Sequence, residues 1–188
     1  SSFLHPVAYS VMHRRHHSFA DTPKDPHLPV HLKNIISFNL ATVNEYRKLV
    51  NEFLKGGRTI SDAPRWYTLE WFAESVWTRV GFIILYFLFY VQFATSTWQF
   101  FLFPLHIFMG SMHGFIVNWF GHKTGYRNFD SMPDNSKNTL PLDFLMMGEL
   151  YQNNHHRRPK EPNFAVRWFE LDFGYIATLA LKRLRVIH

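Results

Sequence analysis

This sequence predicts an all-α, integral membrane fold with a histidine-rich metal site beside the membrane. Three observations carry that expectation. Val80 to His122 holds no Lys, Arg, Asp or Glu over 43 residues, so all 20 basic and 14 acidic residues lie in the flanks. His13, His16 and His17 stand at i, i+3, i+4 spacing, and Gln152, His155 and His156 repeat it near the other end. The chain is 47% hydrophobic and 18% aromatic, with 20 Phe, a heavy aromatic load for a water-soluble domain.

The charge-free run is the first element to justify. One helical crossing takes about 20 residues, so residues 80–122 fit a membrane hairpin of two crossings turning near "ATSTWQ". The competing reading is a buried hairpin in a soluble core, but such a core seldom avoids charge for so long. Both flanks are basic, which directs both ends of the hairpin to the cytoplasm. The start, "SSFLHPVAYSVMHRRHH", has no secretory signature, since His5 and Pro6 break its apolar stretch. Residues 22–34 carry three prolines and read as irregular. Residues 35–55 read as a helix with Ile35, Ile36, Leu40, Val43, Tyr46, Leu49, Val50, Phe53 and Leu54 roughly on one face, ended by Lys55-Gly56-Gly57. "APRWYTLEWFAESVW" reads as an interfacial helix, with Trp66, Trp71 and Trp77 suited to headgroups. A polar loop follows Lys123, and a further helix begins at about Leu142.

On a helix, i, i+3, i+4 spacing sets His13, His16 and His17 on one face. Gln152, His155 and His156 form a second such facet, and Asn118 with His122 a third, where the charge-free run ends. Neutral imidazole binds Fe, Zn, Cu and Ni. With no Cys in the chain, iron–sulfur clusters and thiolate zinc sites are excluded. Six histidines with Asn118 and Gln152 exceed what one tetrahedral ion uses, which argues for two metals. The plainer reading of each cluster is a solvated basic face or a phosphate-binding patch, "HRRHH" and "HHRR" being arginine-rich; three convergent clusters weigh against it, and no nucleic-acid partner is expected. His106 and His113 share a face turned away from Asn118 and His122, and read as neutral, hydrogen-bonded residues lining the bundle. His27 reads as a support for the His13 cluster, whereas His5, His31 and His188 carry no argument.

"HRRHHSFADTPKDPH" resembles the second histidine box of membrane fatty acid desaturases of the acyl-CoA or acyl-lipid Δ9 type. "NWFGHKTGYRNFD" is similar to their Asn-x3-His segment, "GELYQNNHHRRP" to their third box and "RWFELDFGY" to the stretch after it. The likeness runs from about Val11 to near the C-terminus, with the boxes in the family's order. It implies a helical membrane protein whose cytosolic cap holds two iron ions over the membrane helices. The implied ligands are His13, His16, His17, His122, His155 and His156, with Asn118 acting through a water and Gln152 as a further candidate. It also implies one desaturase domain over residues 1–188, and a tunnel taking the acyl chain past the metals. The family's first box, His-x4-His, would precede His13, and the chain starts too late to hold it. The expectation is therefore a piece of a longer protein, inactive alone. Gln152 stands where Δ9 desaturases usually carry His; front-end desaturases often use Gln there.

The activity so implied is an O₂-dependent desaturation. An acyl chain, O₂, two electrons and two protons give a cis double bond and two waters. Zinc has no redox chemistry to drive this; iron does. The acyl substrate could be held on CoA, acyl carrier protein or a membrane lipid. With no Gly-x-Gly-x-x-Gly, no Cys and no His-Pro-Gly-Gly haem motif, electrons should arrive from a partner, ferredoxin or cytochrome b5 with its reductase, docked on the basic flanks. A histidine-box hydroxylase of alkanes or fatty acids shares the metal chemistry, and a non-catalytic metal-handling membrane protein is the rival outside enzymes. The fuller likeness of "GYRNFD" and "NNHHRRP" favours desaturation.

Overall fold

A computed structural model of the chain describes residues 4–25, 34–54, 63, 65–141 and 143–187. Its helices, in order, are α1 (Pro6–Phe19), α2 (Ile35–Leu54), α3 (Tyr67–Glu74), α4 (Val76–Phe93), a 3₁₀ turn (Thr97–Phe101), α5 (Leu102–Phe120), α6 (Asp143–Met146), α7 (Gln152–Arg157) and α8 (Phe173–Arg183). The fold is all-α among the described residues, where extended segments meet only as isolated bridges of Asn138 with Tyr126 and Tyr151.

Pro6 opens α1, where its missing N–H costs nothing, and the His5 ring caps it by accepting from the Ala8 N–H at 3.3 Å. Val7, Ala8, Val11 and Met12 then pack against Leu49, Val50 and Phe53 of α2, with Ala63. Leu49 and Phe53 are 1% exposed, and burying each contributes about 2 kcal/mol. The expected apolar face of α2 holds only at Tyr46, Leu49, Val50 and Phe53, and Leu54 is exposed. Ile36 and Leu40 are exposed, because α1 ends at Phe19 beside Ala41 and the first turns of α2 run past it. There Phe38, absent from the expected face, meets Phe115 of α5 edge to face at 5.4 Å. The expected Gly-Gly stop and the region of His27 and His31 lie outside the described residues, as does His188.

A polar network ties these helices to the hairpin. The His5 N–H donates to the Tyr46 hydroxyl at 2.6 Å, and that hydroxyl donates to Glu74 at 2.5 Å. Buried Glu70 accepts the Arg65 guanidinium at 2.6–2.9 Å and the Trp66 N–H at 2.9 Å, and stands 3.4 Å from His5. His5 is thus a fully buried structural residue, not the idle one the sequence suggests. The expected interfacial helix is broken at Ser75, whose ψ of 126° ends α3 and lets α4 start anew. Trp66, Trp71 and Trp77 are all well exposed.

The hairpin starts at Val76 rather than Val80, taking Arg79 into its first turn, where Arg79 is held by Glu74 at 3.1 Å. Eighteen helical residues span about 27 Å, close to a bilayer's hydrocarbon thickness. Windows in α4 and in residues 97–120 reach mean hydropathies of 1.5 and 1.6, with 0% and 6% of their residues buried. This is not the buried centre of the described fold. Gln99 closes the turn by accepting from the Thr95 and Ser96 N–H groups. His106 stacks on Tyr86 at 4.2 Å. Neither His106 nor His113 hydrogen-bonds to a described residue, so at His106 the expected hydrogen bond is replaced by ring packing.

Past α5 the chain loops out and returns. The expected helix from Leu142 is only four residues long in α6, because Met147 and Gly148 take positive φ and turn the chain before α7. Tyr126 and Asn138 exchange backbone hydrogen bonds at 3.0 and 2.7 Å. Gly125, at φ 124°, makes this possible: a Cβ there would stand 2.1 Å from the Asn138 carbonyl oxygen. Gly125→Val is expected to cost on the order of 3 kcal/mol in strain and contact. A Cβ at Gly114 meets nothing within 4 Å, so Gly114→Ala should leave stability within about 0.5 kcal/mol. Thermal unfolding followed by circular dichroism checks the contrast, and equal midpoints for both variants would refute it.

Candidate metal centre

Helix α1 delivers His13, His16 and His17, and α7 delivers Gln152, His155 and His156. His122 does not complete a helical facet with Asn118 as expected; it sits in the turn after α5, which ends at Phe120. The three segments converge, and their histidines sort into two adjoining trios: His13, His17 and His155, and His16, His122 and His156. The i, i+3, i+4 cluster of α1 is therefore divided, with His16 facing a different group from its neighbours.

In the first trio the Nε2 atoms lie 3.2 Å (His13–His155), 3.0 Å (His13–His17) and 2.9 Å (His17–His155) apart. Hydrogen bonds cannot satisfy such a triangle. A neutral Nε2 is either donor or acceptor, so at least one side sets two alike atoms against each other. A shared cation removes the conflict. With metal–nitrogen distances of about 2.1 Å, ligands at right angles lie about 3.0 Å apart and tetrahedral ones about 3.4 Å. The observed spacing is nearer the first, an arrangement that leaves the opposite face open, as in non-haem iron sites.

The second trio is fully buried, with ring centroids 5.0–5.1 Å apart. Each ring is turned by a carboxylate on its Nδ1: Asp25 on His16 at 2.9 Å, Asp21 on His122 at 2.9 Å, and Asp134 on His156 at 2.7 Å. This fixes the proton on Nδ1 and aims Nε2 inward. The Nε2 atoms of His122 and His156 are buried without a hydrogen-bond partner, a cost that a metal ion at their focus would remove. The donor set of both trios, all imidazole with a carboxylate outer layer, suits iron.

Electrostatics keeps His13, His155 and His156 in the ligating form. Burial first, and neighbouring histidine charges second, push His13 down to about 4 and His155 to about 3. Burial also takes His156 to about 4, although Asp134 works against it. Burial alone would raise Asp21 and Asp134, but hydrogen bonds from His122 and His156 outweigh it and hold both below the usual carboxylate range. At neutral pH His13, His155 and His156 are therefore neutral imidazoles, and Asp21 and Asp134 are ionised.

Asn118 is half-buried on α5, with its Nδ2 donating to the Gly114 carbonyl at 2.8 Å. Gln152 is buried beside His122. A Cβ on Gly121 would fall 2.4 Å from its Cγ, so only glycine lets it pass there. Its amide N–H donates to the Glu149 carbonyl at 3.0 Å, while its Oε1 is buried and unpartnered.

The sequence profile described as "Fatty acid desaturase" matches residues 2–182. The chain belongs to the fatty acid desaturase family. It is 26% identical over 96% of its length to a "Hex-5-enoyl-[acyl-carrier protein] acetylenase" of Moorena producens (strain JHB), of which it covers 60%. It is 23% identical over 94% of its length to an "sn-1 stearoyl-lipid 9-desaturase" of Anabaena variabilis, covering 62%. It is 25% identical over 91% of its length to the "Delta-9 desaturase-like 3 protein" of Arabidopsis thaliana, covering 55%. The chain thus spans about three-fifths of these family members. No solved structure matches it.

Sequence reasoning missed the carboxylates. Asp21 and Asp25 follow α1 closely and could have been read as outer partners of the His13 cluster; Asp134 has no such signal. It also missed Asn153 and Asn154, both buried. Asn153 accepts from the Asn128 and Phe129 N–H groups at 2.9 and 2.8 Å, and Asn154 accepts from Asn128 and Asn138 at 2.8 and 2.9 Å. These bonds hold α7, and with it His155 and His156, in place.

Proposed function

We propose that this chain is the metal-binding body of a multi-pass membrane fatty acyl desaturase, a single domain over residues 1–188 with the histidine centre in a cytoplasmic cap. One observation carries the reading: two adjoining imidazole trios, built from three segments, in a chain of the fatty acid desaturase family. His13, His17 and His155 would hold one iron and His16, His122 and His156 the other. Asn118 would act through a water, and the buried Oε1 of Gln152 is a further donor on the His122 side. Iron with O₂ supplies the oxidising power to remove two hydrogens from an acyl chain. The protein's own part is to aim the imidazoles at their foci, with Asp21, Asp25 and Asp134 behind the second trio, and to bury that trio from water.

The apolar hairpin supports an acyl substrate delivered from the membrane, on CoA, acyl carrier protein or a glycerolipid. Electrons would come from ferredoxin or cytochrome b5 with its reductase, docking on the basic cap. The full-length protein expressed in a desaturase-deficient host should bind two irons and raise the double-bond content of the lipids, whereas the 188-residue piece alone should not. Hydroxylated acyl chains in place of alkenes would assign a hydroxylase instead, and zinc without turnover a metal-handling protein.

A further inference from the structure

The two trios are alike in ligand type and unlike in everything behind the ligands. Each ring of His16, His122 and His156 has a carboxylate on its Nδ1. Among the described residues no carboxylate reaches His13, His17 or His155, and the Nδ1 of His155 is buried with no partner at all. The second trio is wholly buried, whereas His13 and His17 are partly exposed.

The carboxylates are themselves held. Asp21 takes the left-handed conformation, φ 61°, tolerable for Asp, and its N–H donates to Asp25 at 3.0 Å. The Asp21 carboxylate accepts from the Asn135 N–H at 2.7 Å as well as from His122. Asp134 accepts from the Ser136 N–H at 3.0 Å. Two loops, at 21–25 and 134–136, therefore place three negative charges one imidazole away from a single focus. A carboxylate behind a ligating imidazole fixes its orientation and raises its basicity.

We infer that Asp21, Asp25 and Asp134 are positioning residues for one metal position only, which makes the two positions unequal: the His16–His122–His156 position fills first and holds its ion tighter than the His13–His17–His155 position. This rests on the metal reading of the site. Unequal filling follows because removal of one outer partner typically costs about 10–100-fold in affinity, and one trio has three such partners while the described residues give the other none.

The test is titration of metal-stripped protein with Co²⁺ alone, followed by visible absorption, with far-ultraviolet circular dichroism to confirm helix content. Two steps are expected. Asp21→Asn, Asp25→Asn and Asp134→Asn each keep an oxygen acceptor for the Nδ1–H and lose only the charge. Each should weaken the first step about 10–100-fold, shift its absorption band and leave the second step unchanged. His13→Ala should delete the second step and spare the first. A single step of equal affinity, or carboxylate variants that weaken both steps alike, would overturn the inequality while leaving the metal reading intact. Absence of any Co²⁺ uptake by the unaltered protein would bring down both.

Discussion

In the full-length protein, exchanging His156 for alanine should abolish the proposed desaturation and lower metal affinity by more than about 100-fold, beyond the loss typical of an outer-shell partner. His156 lies at the centre of the arrangement. Its ring is 5.0 Å from both His16 and His122 and 4.5 Å from His17 of the other trio. Its removal also leaves the buried Asp134 Oδ2 without its imidazole, with Ser136 still held on the other oxygen. The matched control is His106→Phe. His106 is a ring stacked on Tyr86 with no hydrogen bond to lose, so the aromatic swap should preserve both metal content and double-bond formation. Lipid analysis in a desaturase-deficient host and metal content of the purified protein are the two readouts. Normal iron in His156→Ala would remove it from the ligand set, and loss of iron in His106→Phe would add a residue the two trios do not include.

Glu170→Ala should be the most damaging change outside the histidines. Glu170 is 4% exposed and accepts from five donors: the Tyr126 hydroxyl (2.6 Å), the Asn128 and Asn154 amides (2.7 and 3.0 Å), and the Val166 and Arg167 N–H groups. Alanine leaves all five without their acceptor in a space closed to most water. At about 1–3 kcal/mol for each buried group so abandoned, and with partial rescue by water, the loss is about 4 kcal/mol. That is a large share of a typical domain's stability. Because Asn154 precedes His155, the damage should also release the third box, with metal lost together with structure. Glu170→Gln keeps one oxygen and should fall between. Thermal unfolding with parallel metal analysis decides the matter; a Glu170→Ala protein that melts with the unaltered one would show that the five donors find other partners.

The parts of the fold fixed by periodicity were legible. The i, i+3, i+4 rows did become α1 and α7, and the charge-free run became a hairpin, since helical spacing and apolar length are local properties. What periodicity could not say is which histidine faces which. His16 leaves His13 and His17 because Asp25, nine residues on, turns its ring, and that depends on a loop. Asp134 reaches His156 across 22 residues and Asp21 reaches His122 across 101. Such pairings follow from how segments cross, not from spacing along any one of them. The same holds for Ile36 and Leu40, which share the pattern of a buried face but lie past the end of the helix that would cover them.

The first trio joins His13 to His155, 142 residues apart in the chain. Neither trio can close before α7 exists. During synthesis at about 5–20 residues per second, the α1 histidines wait on the order of ten seconds for their partners, and the hairpin has to be threaded in that interval. The centre is consequently a late event in biogenesis, and a ribosome stalled before residue 155 leaves a chain with two of three rings at each position and nothing to shut it.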